Sequence, residues 1–153
     1  MNAFASYDNL AGFFVGNEII GSASGSLAAL YVKAAAADTK SYRASKGREF
    51  PIGYSAAGIA QLRPALQNYL ACGSASTSFN FFSLNYYEWC GDATCGSLGY
   101  INLQRDAIFF SETGCSVGGP RTFDDQAAIF GPSMSGTWSG VMIYESKETI
   151  ITV

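Results

Sequence analysis

The stretch LAGFFVGNE, residues 10–18, places an apolar run directly before an amide and a carboxylate. Its first part, Leu10 to Val15, is rich in Leu, Phe and Val, which predicts a β-strand. Asn17 and Glu18 follow at the carboxyl end of that strand. In α/β folds the carboxyl ends of parallel strands carry the binding and catalytic side chains. The stretch therefore predicts a strand that presents Asn17 and Glu18 at a functional edge.

Similar apolar runs recur along the chain and predict further strands. They cover Pro51 to Tyr54, Asn80 to Trp89, Ala107 to Ser111 and, as a fifth candidate, Gly140 to Tyr144. Strands that repeat in this way, with helical segments between them, are typical of βα units on a mainly parallel sheet. The predicted fold class is therefore α/β. A length of 153 residues suits one domain or one piece of a larger domain.

Three segments between these runs predict helices. In Ser26 to Lys46, Leu, Tyr and Ala recur near the helical period, and Gly47 is suited to end the helix. Ala60 to Leu70 predicts a second helix, in which Pro64 is tolerated only in the first turn. Thr122 to Met134 predicts a third, which is expected to end near Pro132.

The composition excludes several classes of function. Nine Lys and Arg against twelve Asp and Glu give a net charge of −3, so no basic surface for nucleic acid is expected. No run reaches the roughly 20 apolar residues of a membrane-spanning helix, and the N-terminus does not have the pattern of a signal peptide. The chain contains no His, which excludes Ser-His-Asp and Cys-His catalysis. Any catalysis must then use carboxylates, Tyr, Lys or Cys.

Glu18 and Glu112 form a candidate catalytic pair. Glu112 follows the apolar run of AIFFSETGC, residues 107–115, as Glu18 follows that of GFFVGNE. In a parallel barrel all carboxyl ends of the strands lie on one face, so the two side chains can converge. One protonated and one ionised carboxyl group is what cleavage of a glycosidic bond requires. The alternative is that each Glu is simply a solvated residue where a strand ends.

Six stretches together resemble the fungal β-1,3-glucanosyltransferases, cell-wall glycoside hydrolases that cut and rejoin β-1,3-glucan. They are LAGFFVGNEII, FPIGYSAAG, LQNYLACG, FFSLNYYEWCGD, IFFSETGC and WSGVMIYE, in the order of the family. The stretches NYYEWCGD and FFSETGC are the most specific. The resemblance implies the C-terminal part, about strands 4 to 8, of a (β/α)8 TIM barrel. Residues 1–153 are then expected to be a partial catalytic domain without the N-terminal βα units.

The resemblance also implies roles for individual residues. Glu18 is expected to be the acid/base and Glu112 the nucleophile of a retaining transglycosylase. Four further residues are expected to bind the substrate: Asn17, Asn85, Tyr87 and Tyr144. Of these, Tyr87 is expected to hydrogen-bond the nucleophile. The expected partner is β-1,3-glucan, and neither a metal nor a cofactor is expected.

The four cysteines are Cys72, Cys90, Cys95 and Cys115, and their spacing matches no common zinc site. From the residues alone, disulfides are favoured and free thiols remain an alternative. The resemblance implies a Cys90–Cys115 disulfide and assigns no partner to Cys72 or Cys95. It also implies a secreted protein of the cell wall or the outer face of the plasma membrane.

The chain departs from the family pattern at several positions. Thr113 stands where an active-site aromatic residue is expected, and Val141 stands where a second Gly is usual. Three hypotheses therefore remain open: an active glucan transglycosylase, a glucan-binding remnant without catalysis, and an inactive fragment. Trp89 and Trp138 are expected to be structural.

Overall fold

Five parallel strands form one sheet in which the spatial order of the strands equals their order in the chain. The computed structural model of the chain describes residues 1–4, 6–87, 107–114, 123–132 and 134–144. The strands are β1 (Phe13–Asn17), β2 (Ile52–Ala57), β3 (Phe81–Asn85), β4 (Ala107–Thr113) and β5 (Val141–Ile143). The helices are α1 (Ala28–Ser45), α2 (Arg63–Ala71) and α3 (Asp124–Ile129), preceded by a short 3₁₀ helix at Asn2–Phe4.

The first strand is shifted from its predicted position at Leu10 to Val15. Pairing with β2 starts where the Phe13 N–H donates to the Pro51 carbonyl (3.0 Å), so the strand begins there. The strand then continues through Asn17, which is part of it rather than a residue that follows it.

The third strand ends at Asn85 instead of continuing to Trp89 as predicted. β2, one of its two partner strands, ends at Ala57 opposite Asn85, so regular pairing on that side stops there. Tyr86 and Tyr87 therefore follow the strand instead of belonging to it. Trp89 lies outside the described residues.

The helices follow the predicted order with different bounds. Gly47, in the left-handed region at φ 68°, lies just after α1, as its sequence position predicts. α2 begins at Arg63 instead of Ala60, and Pro64 lies in its first turn, where its missing N–H breaks no helical hydrogen bond. None of the described helices is long and apolar enough to cross a membrane.

The third helix is much shorter than the predicted segment Thr122 to Met134. It ends at Ile129, and the turns that follow contain Gly131 and Pro132. Both residues disfavour continuation of a helix.

One face of the sheet packs against the helices and forms the hydrophobic core. Alternate residues of the three central strands contribute to it, including Tyr54, Phe82, Leu84 and Phe110. Trp138 is buried there and stacks on Phe110 with ring centroids 3.8 Å apart. A structural position for Trp138 agrees with the sequence analysis.

The opposite face, called the inner face below, carries a different set of side chains. At the amino ends of the strands, the Phe81 ring contacts the Phe14 and Phe109 rings, with centroids 5.3 and 5.6 Å away. These rings line a cavity of about 390 Å³ together with Met142 and neighbouring residues. Towards the carboxyl ends, the same face becomes polar. A parallel sheet with helices on one side agrees with part of an α/β barrel.

Candidate active site

The end of β1 turns sharply to present Glu18. The Glu18 backbone has φ 52°, a left-handed conformation that costs a non-glycine residue about 1 kcal/mol or more. Two hydrogen bonds hold the turn against β2. The Glu18 N–H donates to the Ser55 carbonyl (2.9 Å), and the Ile20 N–H donates to the Tyr54 hydroxyl (3.1 Å). The Glu18 side chain is exposed at the carboxyl edge of the sheet.

Asn85, at the end of β3, is 3% exposed. Both the nitrogen and the oxygen of its side-chain amide form hydrogen bonds. Its Nδ2 donates to Asn17 Oδ1 (2.9 Å) and to Glu18 Oε1 (3.0 Å). Its Oδ1 accepts hydrogen bonds from the hydroxyls of Ser55 and Ser111, each at 2.8 Å. A carboxamide has two N–H donors and one oxygen with two lone pairs, so all of its hydrogen-bonding capacity is used. The amide is thereby fixed in orientation.

Glu112 lies near the end of β4, in register with Asn85 on β3. The Tyr87 hydroxyl donates to Glu112 Oε2 at 2.7 Å. The Tyr144 ring packs edge-on against the Tyr87 ring, with centroids 6.0 Å apart. Burial, and then the hydrogen bond to the Glu112 carboxylate, raise the pKa of Tyr87 above its ordinary value. The phenol therefore remains a donor to Glu112 at neutral pH.

The structure brings the six predicted site residues together at one edge of the sheet. They are Asn17, Glu18, Asn85, Tyr87, Glu112 and Tyr144. The negative charges of Glu112 and Glu18 both help to raise the pKa of Tyr87. Tyr144 is held beside Glu112 by its N–H, which donates to the Thr113 carbonyl (2.8 Å).

Two serines in this network were not identified as site residues from the sequence. Ser55 is buried within β2 and Ser111 lies within β4, and both contact Asn85 on the strand between them. The available signal was a polar residue near the carboxyl end of each of three adjacent apolar strands. An isolated Ser in an apolar run carries no such information, because the contact depends on strand register.

Thr113 connects β4 to α3. Its hydroxyl donates to Asp125 Oδ2 (3.3 Å), and both side chains are buried. Gln126 Nε2 also donates to Asp125 Oδ2 (3.0 Å). The residue that stands in place of an expected aromatic is therefore tied to the helix layer.

The predicted Cys90–Cys115 disulfide lies outside the described residues, as does Cys95. Cys72 is exposed and free within the described part of the chain. Its Sγ lies 3.0 Å from Lys33 Nζ, which also donates to the Cys72 carbonyl at the end of α2. Within that same part, no three His, Cys, Asp or Glu side chains come together as a metal site.

The comparison with protein families identifies the class of protein. The sequence model of glycoside hydrolase family 72, described as glucanosyltransferase, matches residues 1–150. The chain belongs to this glucanosyltransferase family, and the resemblance drawn from the six sequence stretches is confirmed.

Individual relatives agree with the family. The chain is 41% identical to Protein EPD1 of Candida maltosa, over 94% of this chain and 28% of that protein. It is 38% identical to the 1,3-beta-glucanosyltransferase GAS2 of Saccharomyces cerevisiae, over 94% of this chain and 27% of that protein. The chain thus spans less than a third of the length of either relative.

A solved structure of a related protein shares the fold. Saccharomyces cerevisiae Gas2p in complex with laminaripentaose superposes with a TM-score of 0.84 at 37% identity. The match covers 93% of this chain and 34% of that chain. The parallel sheet and its helices therefore correspond to about a third of the larger Gas2p structure.

Proposed function

We propose that this chain carries the catalytic carboxylates of a 1,3-β-glucanosyltransferase, a retaining transglycosylase that cleaves and re-ligates β-1,3-glucan. The observation that carries the proposal is that two glutamates lie at one edge of the sheet and each accepts a hydrogen bond from a different side chain. Glu18 is bound by the Asn85 amide, and Glu112 is bound by the Tyr87 phenol. Membership of the glucanosyltransferase family and similarity to the 1,3-beta-glucanosyltransferase GAS2 of Saccharomyces cerevisiae support the same activity.

In the first step, Glu112 acts as nucleophile and Glu18 as acid. Tyr87 binds Glu112 Oε2, which leaves Oε1 to attack the anomeric carbon of the bound glucan. A bond from Glu112 to that carbon forms as the glycosidic C–O bond breaks. Glu18 gives its proton to the leaving oxygen, so the released glucan departs with a free hydroxyl group.

In the second step, Glu18 acts as base. Its carboxylate removes the proton from a hydroxyl of an incoming glucan, and the oxygen of that hydroxyl attacks the anomeric carbon. The bond to Glu112 breaks, a new glycosidic bond forms, and both carboxyl groups return to their starting states. Two inversions at the same carbon retain the β configuration.

The proposed substrate contacts are polar and aromatic, which suits a neutral sugar. Asn17 is exposed beside Glu18, and its amide is available to a sugar hydroxyl next to the reacting carbon. Tyr144 is 56% exposed beside Tyr87, and we expect this side chain to contact a glucose unit of the substrate. Such a substrate agrees with a location outside the cell, in the wall or at the outer face of the plasma membrane, which the family resemblance implies.

The test is incubation of the chain with a laminarin-type oligosaccharide whose reducing end has been reduced, followed by product sizing. Longer products indicate transfer. The Glu112→Gln variant is expected to lose at least about 1,000-fold in activity, because an amide cannot form the glycosyl-enzyme bond. Glu49→Gln is the matched control, since Glu49 is exposed and pairs only with Arg43 among the described residues.

Four results would contradict the proposal. Undiminished transfer by Glu112→Gln would exclude Glu112 as the nucleophile. Oligosaccharide binding by the unmodified chain without new products would instead identify a glucan-binding protein, and neither binding nor products would identify an inactive fragment. An α configuration of the new bond, measured by nuclear magnetic resonance, would contradict a retaining mechanism.

A further inference from the structure

We propose that Ser55 and Ser111 are positioning residues that fix the Asn85 amide and thereby decide which oxygen of Glu18 transfers the proton. The inference rests on the proposed function, in which Glu18 is the acid/base. The hydroxyls of these two serines bind Asn85 and not Glu18. In the proposed mechanism they do not touch the reacting atoms either.

The serine hydroxyls surround one end of the Asn85 amide. Ser55 and Ser111 each lie 2.8 Å from Asn85 Oδ1, and their two hydroxyls lie 2.7 Å from each other. They come from β2 and β4, the strands on either side of β3, so register holds all three side chains in place. Ser55 and Asn85 are each 3% exposed, so little water is available to replace these bonds.

The opposite end of the amide contacts oxygen acceptors. Asn85 Nδ2 lies 2.9 Å from Asn17 Oδ1 and 3.0 Å from Glu18 Oε1. If the Asn85 amide were flipped, its carbonyl oxygen would face these two acceptors. An ionised carboxylate has no proton to donate, so no hydrogen bond to Glu18 could form. Two hydroxyl donors at one end and two oxygen acceptors at the other therefore favour a single orientation of the amide.

This orientation has a consequence for proton transfer. The Asn85 N–H occupies Glu18 Oε1, so the proton that Glu18 gives to the leaving oxygen lies on Oε2. Removal of the serine hydroxyls would leave buried Asn85 Oδ1 without its donors, and the amide would turn or shift to recover hydrogen bonds. Glu18 would then lose the contact that selects its reactive oxygen. The loss should affect acid catalysis by Glu18 and spare nucleophilic attack by Glu112.

The test compares Ser55→Ala, Ser111→Ala and the double variant on two donors that differ in leaving group. One is the reduced laminarin-type oligosaccharide, whose departure needs a proton. The other is a dinitrophenyl β-glycoside of a laminari-oligosaccharide, whose leaving group departs without one. For the double variant, kcat on the oligosaccharide is expected to fall about 10- to 100-fold with KM changed less than about twofold. The initial burst of dinitrophenol release is expected to fall less than about threefold.

The controls separate positioning from general packing. Ser83→Ala removes a buried hydroxyl from the same face of β3, but Ser83 donates to the Tyr54 carbonyl and not to Asn85. It is expected to retain activity on both donors. Ser111→Thr keeps a hydroxyl group and is expected to recover most of the activity that Ser111→Ala loses. Equal losses on both donors, or equal losses in Ser83→Ala, would overturn the inference.

A second measurement does not depend on activity. The side-chain amide protons of Asn85, identified by their absence in Asn85→Asp, are expected to exchange slowly with solvent in the unmodified chain and rapidly in the double serine variant. Retained protection in the double variant would overturn the positioning role. Failure of the unmodified chain to act on either donor would instead contradict the proposed function.

Discussion

At the scale of single residues, Tyr87 is the side chain that holds Glu112. The Tyr87→Phe variant removes a 2.7 Å hydrogen bond and leaves the ring and its edge contact with Tyr144. Because the bond orients the proposed nucleophile, kcat is expected to fall about 10- to 100-fold. Initial rates of oligosaccharide transfer measure the effect. A variant that matches the unmodified chain in kcat would show that Glu112 needs no orienting donor.

Tyrosine ionisation offers a test through pH. Tyr87 has a pKa above its ordinary value, chiefly because of burial and then because of Glu112, and burial likewise raises the pKa of Tyr54. A raised pKa means that folding favours the neutral phenol. The resulting contribution to stability is complete below about pH 10, where unfolded tyrosine titrates, and is lost as the pH rises through the folded pKa.

The expected result is delayed tyrosinate formation. In an absorbance titration, the loss of signal in Tyr87→Phe relative to the unmodified chain should therefore appear only above about pH 10. A difference that already appears at or below about pH 10 would contradict a raised pKa of Tyr87.

At the scale of the elements, β2 approaches β3 closely enough that Gly53 has no room for a side chain. A Cβ on Gly53 would lie 2.0 Å from Phe81 Cε2, and the Phe81 ring is itself in contact with Phe14 and Phe109. Gly53→Ala is expected to lower the free energy of unfolding by about 1–3 kcal/mol. Urea denaturation measures the change.

A matched glycine provides the control for this substitution. A Cβ on Gly136 meets no atom within 4 Å, so Gly136→Ala is expected to change the free energy of unfolding by less than about 0.5 kcal/mol. Equal effects at the two positions would contradict the packing of Phe81 over β2.

The sequence predicted the elements better than their ends. Five apolar runs became five parallel strands, because buried parallel strands must be apolar on both faces. The end of β1 was misplaced because Gly16 and Asn17 are poor strand formers, yet pairing with β2 carries the strand through Asn17. β3 ends opposite the last residue of β2, and no local pattern in the sequence encodes that partner's length. Pro64 lies in the first turn of α2, the position where the sequence analysis tolerated it, although the helix begins at Arg63 and not at Ala60.

The meeting of the candidate residues was predictable where it depends on strand ends and not where it depends on register. Glu18 and Glu112 could be expected at one sheet edge because each follows an apolar run and lies within a family motif. The contacts of Ser55 and Ser111 with Asn85 could not, since they require the relative heights of three strands. The left-handed backbone at Glu18 was equally hidden, because it is imposed by hydrogen bonds to β2.

At the scale of the whole molecule, the inner face presents apolar side chains beside a cavity. Phe14 is 42% and Met142 46% exposed at the rim of the cavity lined by Phe81 and Phe109. The chain of 153 residues is therefore expected to bind the dye anilinonaphthalene sulfonate (ANS), which fluoresces on apolar surfaces. The double variant Phe14→Ser with Met142→Ser should show clearly weaker fluorescence.

The control for dye binding is another exposed aromatic residue. Phe130 is more exposed than Phe14 and does not line this cavity, so Phe130→Ser should leave the fluorescence nearly unchanged. Near-ultraviolet circular dichroism should be the same in all variants, which distinguishes a native apolar face from loosened packing. Strong fluorescence in the double variant would show that the dye binds elsewhere.

The agreement between strand order and chain order has a consequence for how the protein is made. Each strand pairs with the one synthesised just before it, so the sheet can grow at one edge while the ribosome is still translating the next unit. The strands that carry Glu18 and Asn85 are paired through β2 before β4 exists, and both Glu112 and Ser111 arrive with β4. Under the proposed roles, translation therefore places the acid/base before the nucleophile, and β4 completes the positioning of both. A nascent chain stalled before β4 therefore cannot open a glucan.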